Sequence, residues 1–283
     1  MTLPRTWLDP PLAAVRDVVA RAIAEDVGIF GDLTAGLADP AAGVSASLVA
    51  RAAGVLAGRL AAHEAFALTD PAVEVRWSVA DGDRLGPGQV LASVRGSLTA
   101  VLTAERTALN LLCHLSGVAT LTRRFVDLAG PSARVRDTRK TTPGLRALEK
   151  AAVRAGGGVN HRGSLSDGIL LKDNHLAGVD IATAVAEARR RWPGVVCEVE
   201  CDTLEQVKVA LAASADMVLV DNMKPSEVAE AATLVAGRVP LEVSGGVTLE
   251  TVSAFAAAGA DLIAVGVLTH SAPALDIGLD LEG

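Results

Sequence analysis

Between Leu12 and Val27 the apolar residues Leu12, Val15, Val18, Val19, Ala22 and Ile23 recur at helical spacing. Arg16, Asp17, Arg21 and Glu25 occupy the other face, which predicts an amphipathic helix. From Val44 to Val79 the pattern shortens to β-like runs over 44–50 and 73–79, separated by a predicted helix near His63 to Leu68. The turn signals Asp81-Gly82-Asp83 and Gly86-Pro87-Gly88 lead into another strand, Val90 to Val94. Leu98 to Leu115 predicts a long helix with Glu105 and Arg106 among apolar neighbours. Ser116-Gly117 predicts its end, before a second helix over 118–129.

From Arg134 onward the period changes. Apolar strands begin near 134, 168, 195, 217, 241 and 262, and helical segments fill the intervals between the last four. Those helices carry start signals: Thr203-x-x-Gln206 fits a capping box, Pro225 suits a first turn, and Thr248 precedes Leu249-Glu250. Strands alternating with helices at near-constant spacing imply a parallel α/β barrel. Six strands are clear, a seventh candidate lies near Val159-Asn160, and too little chain follows Gly266 to complete eight units. The expected fold is therefore α/β: an incomplete, open α/β barrel over 116–283, behind an N-terminal α+β domain over 1–115. The extreme C-terminus is expected to pack back on that N-terminal domain.

Composition narrows the function. With 283 residues, half of them apolar, the chain is long enough for a substantial core. It has no Tyr and few Phe or Trp, and its net charge is −7, which argues against nucleic acid as a partner. Neither a signal-like start nor a membrane span is evident; the most apolar stretch, 98–121, carries Glu105, Arg106 and His114. Cys113, Cys197 and Cys201 form neither a disulfide set nor a metal motif, so a reducing cytoplasm is expected. The segment 81–96 is similar to the turns of lipoyl and biotinyl carrier domains. It has no lysine to carry a cofactor, since none precedes Lys140, and so reads as scaffold.

Charge is not spread evenly. Residues 134–175 hold nine Lys/Arg against four acids in an otherwise acidic chain, pointing to a small polyanionic ligand. In a parallel barrel the active site sits at the C-terminal strand ends. There the sequence offers Asp137-Thr138-Arg139-Lys140, His161-Arg162, Lys172, Glu200, Asp221, Ser244-Gly245-Gly246 and Val265-Gly266-Val267. Cations come first, acids next and glycines last. This division suits a substrate anionic at both ends, with a centre that becomes positive between them. Arg139 and Arg162 suit carboxylates through bidentate forks, the alternative being a solvated basic loop. His161 is read as lying beside a carboxylate. Lys172 is either a binding cation or a Schiff-base lysine. Glu198 and Glu200, two apart on one strand, need partners if buried; Glu198 and Glu242 are read as pairing with basic residues. The two glycine-bearing ends suggest a phosphate cradle, or simple tight turns.

Asp137-Thr-Arg-Lys-Thr-Thr-Pro-Gly-Leu-Arg146, Gly156-Gly-Gly-Val-Asn-His-Arg162 and Leu171-Lys-Asp-Asn-His175 occur in this order and spacing. They resemble the quinolinate phosphoribosyltransferase (nicotinate-nucleotide pyrophosphorylase) family, and the likeness extends from Thr103-Ala-Glu-Arg106 to Thr269-His-Ser271. The resemblance implies a decarboxylating phosphoribosyl transfer from phosphoribosyl pyrophosphate to quinolinate in pyridine nucleotide biosynthesis, with Mg²⁺ as cofactor. It places Thr138 and His161 at the pyridine substrate, whose carboxylates the cluster of Arg139, Lys140 and Arg162 suits, and Lys172 at the phosphoribosyl side. Glu200 and Asp221 face the ribose and the metal ion. Arg106 is implied to reach a neighbouring subunit's site, making the enzyme a homodimer with shared sites or a higher oligomer. Two departures adjoin the cationic loops: Gly163-Ser164-Leu165-Ser166 and Ala151-Ala152 stand where relatives carry larger residues. They bear on affinity and loop order more than on reaction type. A relative acting on another base, a Schiff-base lyase and a metabolite sensor remain alternatives.

Overall fold

The computed structural model describes residues 8–39, 41–175 and 178–282, apart from the side chain of His175. The first seven residues, and with them much of the start read above as lacking a signal, lie outside the described residues. So does the side chain that ends the Lys172–His175 motif. The chain divides into two compact units. One holds residues 1–123, 141–157 and 268–283; the other holds 124–140 and 158–267.

In the first unit, α1 (Leu12–Val27) buries Val15, Val18 and Val19, the predicted apolar stripe. Strand β1 (Gly43–Ala50) follows, then β2 (Gly54–Val55), α2 (Arg59–Thr69), β3 (Glu74–Trp77), β4 (Arg84–Leu85), β5 (Val90–Ser97) and α3 (Leu98–Ala129), whose residues from Arg124 on belong to the second unit. A buried carboxylate anchors the start of α2: Asp81 accepts from the backbone N–H groups of Gly58 and Arg59, both at 3.2 Å. Burial raises the Asp81 pKa to about 6 despite those donors and nearby Arg59.

Helix α3 is continuous, so the predicted break at Ser116-Gly117 is wrong. Ser116 is fully buried and its hydroxyl bonds the backbone N and O of Ala57, both at 3.1 Å. Gly117 is there for close approach rather than termination. A Cβ at 117 would collide with the carbonyl oxygen of Pro273 and lie 3.0 Å from Ala274 Cα. A distant part of the chain, not the local turn propensity, selects these two residues.

In the second unit β6 (Arg134–Arg136) begins a parallel sheet. After α4 (Arg146–Ala155), which belongs to the first unit, come β7 (Ile169–Leu171), α5 (Ile181–Arg191), β8 (Cys197–Cys201), α6 (Leu204–Ala212) and β9 (Met217–Asp221). Then follow α7 (Pro225–Val235), β10 (Leu241–Ser244), α8 (Val252–Ala257) and β11 (Leu262–Ala264); α9 (Val267–His270), from Leu268 on, and β12 (Ile277–Leu281) belong to the first unit. The six strands run in the order β6-β11-β10-β9-β8-β7, and Val159 adds a parallel bridge to Arg136. The two edges do not join in this order, giving an open barrel, and Val159 is all that forms of the seventh strand.

The predicted capping box Thr203–Gln206 and the first-turn Pro225 are both in place. Thr248 does not start a helix: its N–H donates to the Thr251 hydroxyl at 2.9 Å, a turn forms, and α8 begins only at Val252. Strand β12 pairs antiparallel with β1, which also pairs with β5, so the C-terminal strand completes the sheet β12-β1-β5-β3 of the first unit. Among the described residues, no helix is long and apolar enough to cross a membrane.

Candidate active site

Alternation along a barrel strand sends every second side chain inward. In β8 this separates Glu198 and Glu200 from Cys197, Val199 and Cys201, and β9 ends by presenting Asp221. A cleft of about 370 Å³ opens at the C-terminal strand ends. It is lined by Thr138, Arg139 and Lys140 after β6, His161, Arg162, Lys172 after β7, Glu200, Asp221, Glu242 and Ser244, with Leu170, Leu219 and Ala264 as its apolar walls. Four cations thus stand at the β6 and β7 edges of the sheet. Glu200 and Asp221 face them from strands β8 and β9, and Glu242 of β10 is the third carboxylate of the lining.

Each charged group has an identifiable support. The Lys172 ammonium is ion-paired with the Glu200 carboxylate. Asp221 Oδ2 accepts from Asn222 Nδ2 at 2.5 Å. Asn222 itself adopts a left-handed φ of 57°, with its N–H on Ser244 O at 2.9 Å. Arg162 Nη1 donates to Gly168 O at 2.9 Å. Burial first, and then the charge of Arg139, lowers the pKa of the Arg162 guanidinium below its ordinary value. Two guanidinium groups lining one cleft suit an anionic ligand. The Thr138 hydroxyl accepts from the backbone N–H of Lys140 at 3.0 Å, shaping the loop that carries both.

Beneath the cleft lies a buried polar layer that the sequence left open. Asp137, fully buried, accepts from the N–H of His161 at 2.8 Å and from Asn160 Nδ2 at 2.5 Å. Arg136 is ion-paired with Glu242. His161 Nε2 lies 3.1 Å from Glu198 and 3.8 Å from Glu242. Burial raises the Glu242 pKa to about 8, with the Glu198 charge adding to the shift; burial also raises that of Glu198. By spacing, His161, Glu198 and Glu242 could hold a metal ion, their donor atoms lying within 4.8 Å of one another. Hydrogen bonding argues otherwise. His161 Nδ1 accepts from the Arg162 N–H at 2.7 Å, so the ring proton is on Nε2, the atom a metal would need.

Other sequence candidates fall outside this cleft. Gly245 has a φ of 91°, and a Cβ there would meet Asn222; Gly246 has a φ of 60° with open space beside it. Neither lines the cleft, although Ser244 before them does. Val265, Gly266 and Val267 are not in its lining either. The Val265 N–H donates to Arg136 O at 2.9 Å, which corrects its reading as a phosphate-binding amide. Arg106 lies in the first unit with a side chain 63% exposed, beside a separate cleft lined also by Asp26, Asp32, Leu102 and Thr103. The divergent loop closes on itself, with the N–H groups of Gly163 and Ser164 donating to Asp167 at 2.7 and 3.1 Å. Asn222, Arg136 and Asn160 are not among the residues the sequence singles out; a position near a strand end is the only signal they offer.

Cations at the two edge strands and carboxylates between them, at the C-terminal mouth of an open parallel barrel, define a barrel enzyme built for a polyanionic substrate. Residues 32–116 match the family model for the N-terminal domain of quinolinate phosphoribosyl transferase, and 118–280 match that for its C-terminal domain. The chain is 46% identical over 278 residues to a nicotinate-nucleotide pyrophosphorylase (carboxylating) of Mycobacterium leprae, covering 95% of this chain and 97% of that one. It is 44% identical to a probable enzyme of that name from Bacillus subtilis, over 91% and 90% of the two chains. Its structure is similar to that of the nicotinate-nucleotide pyrophosphorylase from Francisella tularensis, with a TM-score of 0.92, 36% identity, and coverage of 97% and 98%. The chain belongs to the quinolinate phosphoribosyltransferase family.

Proposed function

We propose that this chain joins quinolinate to phosphoribosyl pyrophosphate, giving nicotinate mononucleotide, pyrophosphate and carbon dioxide. The observation that carries this reading is one cleft in which Arg139, Lys140, Arg162 and Lys172 stand opposite Glu200 and Asp221, on this family's barrel. Arg139 and Arg162 bind the two ring carboxylates, with Thr138 and His161 beside them. Lys140 and Lys172 bind the phosphates, and Glu200 and Asp221 face the ribose hydroxyls.

No protein nucleophile is required. The pyridine nitrogen attacks the anomeric carbon as the bond to pyrophosphate breaks, and the ribose passes through an oxocarbenium-like state. Glu200 and Asp221 stabilise its positive charge, and Lys140 and Lys172 stabilise the departing negative charge. The ion pair between Lys172 and Glu200 suits a binding cation better than a Schiff-base nucleophile. Once the nitrogen is quaternary, its charge stabilises the carbanion left when the adjacent carboxylate departs as carbon dioxide. A proton from water then completes the ring.

Glu200 and Asp221 also fit Mg²⁺, a hard cation that takes one or two carboxylates from protein and the rest of its oxygens from phosphate and water. When bound, it would neutralise charge on the pyrophosphate. The exposed Arg106 belongs, in this reading, to the site of a second copy. Ile29, Phe30, Leu33 and Leu37 are all more than two-thirds exposed in the same unit, and Leu33 lines the cleft beside Arg106, as an interface between copies would require. Free Cys113, Cys197 and Cys201 fit a reducing cytoplasm. The test is formation of nicotinate mononucleotide by purified protein given both substrates and Mg²⁺. Its absence under those conditions, with folded protein, would refute the reading.

A further inference from the structure

We infer that Asp167 is a positioning residue for Arg162, acting through Gly168, and that Ser164 completes the clasp by which it does so. The guanidinium of Arg162 reaches back to its own chain, where Nη1 donates to Gly168 O, six residues on, at 2.9 Å. The place of that carbonyl therefore helps to decide where the guanidinium points. Gly168 is fixed on its C-terminal side, because the Ile169 N–H donates to Val196 O at 2.9 Å and opens the parallel pairing of β7 with β8. On its other side lie residues 163–167, which form neither helix nor strand. Order in that stretch comes from side chains.

Asp167 supplies that order with both carboxylate oxygens. Oδ2 accepts from the backbone N–H groups of Gly163 at 2.7 Å and Ser164 at 3.1 Å, and Oδ1 accepts from the Ser164 hydroxyl at 2.6 Å. An ionised carboxylate only accepts, so the single hydroxyl hydrogen of Ser164 is committed to it. Ser164 Oγ then serves as an acceptor for the Ser166 N–H at 3.2 Å and the Ser166 hydroxyl at 3.0 Å. Gly163 follows Arg162 and Asp167 precedes Gly168. The clasp therefore closes the same stretch of chain that the guanidinium bond spans, and each closure supports the other.

The sequence gives this loop a need for such a clasp. Gly163 has no side chain to restrict the backbone beside Arg162, and ordering a glycine costs more conformational entropy than ordering any other residue. Leu165 at the tip is 73% exposed, so burial does little to hold it. The loop in which this chain departs from its family is thus held by hydrogen bonds to a charged group rather than by packing. The Asp167 charge also reaches the guanidinium directly. Burial first and Arg139 next lower the Arg162 pKa, and Asp167 opposes that shift. A test has to separate the clasp from the charge, and an amide at 167 does so: it keeps an acceptor for the two backbone N–H groups and has no charge.

The kinetic arm rests on the proposed assignment of Arg162 to a ring carboxylate, whereas the structural arm does not. Asp167→Ala should raise the quinolinate KM about tenfold and leave that for phosphoribosyl pyrophosphate within about twofold, while Asp167→Asn and Ser164→Ala should each raise the first about threefold. In an Arg162→Ala background, adding Asp167→Ala should change the quinolinate KM less than about twofold, because the group it positions is gone. Equal effects in both backgrounds, equal shifts for the two substrates, or equal losses for the alanine and asparagine variants would overturn the inference. Ser164→Ala removes one hydroxyl and keeps the comparison available if Asp167→Ala folds poorly. In crystal structures, the bond from Arg162 Nη1 to Gly168 O should be present in wild type and lost in Asp167→Ala. Its persistence at the wild-type distance in that variant would overturn the inference whatever the kinetics. Wild-type protein that fails to turn over quinolinate, with the bond lost only on substitution of Asp167, would refute the proposed reaction and leave this inference standing.

Discussion

Replacing Gly245 with alanine should damage the site far more than replacing Gly246, although the two are adjacent and both lie in the left-handed region. A side chain at positive φ costs about 1–2 kcal/mol, and both variants incur it. Only at 245 does the added Cβ meet other atoms. It would lie 2.7 Å from the backbone nitrogen of Asn222 and closer still to the Asn222 side-chain oxygen. That backbone cannot yield freely, because its N–H is bonded to Ser244 O at 2.9 Å and Asn222 is already at a φ of 57°. Overpacking against fixed backbone adds about 1–3 kcal/mol, so Gly245→Ala should lose about 2–5 kcal/mol in urea unfolding and Gly246→Ala about 1–2. Displacing Asn222 also removes the donor on Asp221, so the first variant should lose turnover as well as stability, while the second keeps most of both. Equal unfolding free energies for the two variants would refute the clash argument.

On the proposed assignment of Arg162 to a ring carboxylate, Arg162→Ala should raise the quinolinate KM about ten- to a hundredfold while changing that for phosphoribosyl pyrophosphate much less; equal effects on both would move Arg162 out of the pyridine site. Mixing Arg106→Ala with Lys172→Ala protein, each nearly inactive, should restore activity by subunit exchange, since in a two-fold dimer about a quarter of all sites would then carry neither defect. No recovery, despite exchange shown by tagged pull-down, would keep Arg106 out of a shared site. Asp81 is raised from 3.8 to about 6 on folding, so its protonated form stabilises the fold at low pH and that contribution is lost as pH rises through 6. An amide in its place, as in Asp81→Asn, cannot ionise. The stability of Asp81→Asn relative to wild type should therefore climb by at most about 3 kcal/mol between pH 4 and pH 6.5, and a flat difference would contradict the buried-acid assignment.

What the sequence made legible was whatever local chemistry decides. Strand starts near 134, 217, 241 and 262 follow from short apolar runs closed by turns, and the Thr203–Gln206 box and Pro225 act within one helical turn. The misreadings are cases where distant chain decides. Ser116 and Gly117 read as breakers until Ala57 and Pro273 pack against them. Glu242 does pair with a basic residue as read, but that its cation is Arg136, 106 residues away, is something no spacing announces. Val265 looked like a strand-end amide free for phosphate, but the barrel uses its N–H for Arg136 O. The strand ends themselves were readable because a parallel barrel gathers them in one place whatever the order of the chain. Which of them contact each other beneath the surface was not.

The central claim is that bond formation at the pyridine nitrogen and loss of the adjacent carboxylate belong to one reaction of this chain. It is tested most directly by supplying quinolinate labelled with ¹⁴C in its 2-carboxylate, with phosphoribosyl pyrophosphate and Mg²⁺, and measuring carbon dioxide and pyrophosphate released over the same interval. Equal amounts of the two are expected, matched by nicotinate mononucleotide, with no carbon dioxide when phosphoribosyl pyrophosphate is omitted. Carbon dioxide released without the phosphoribosyl donor, or pyrophosphate released without carbon dioxide, would contradict it.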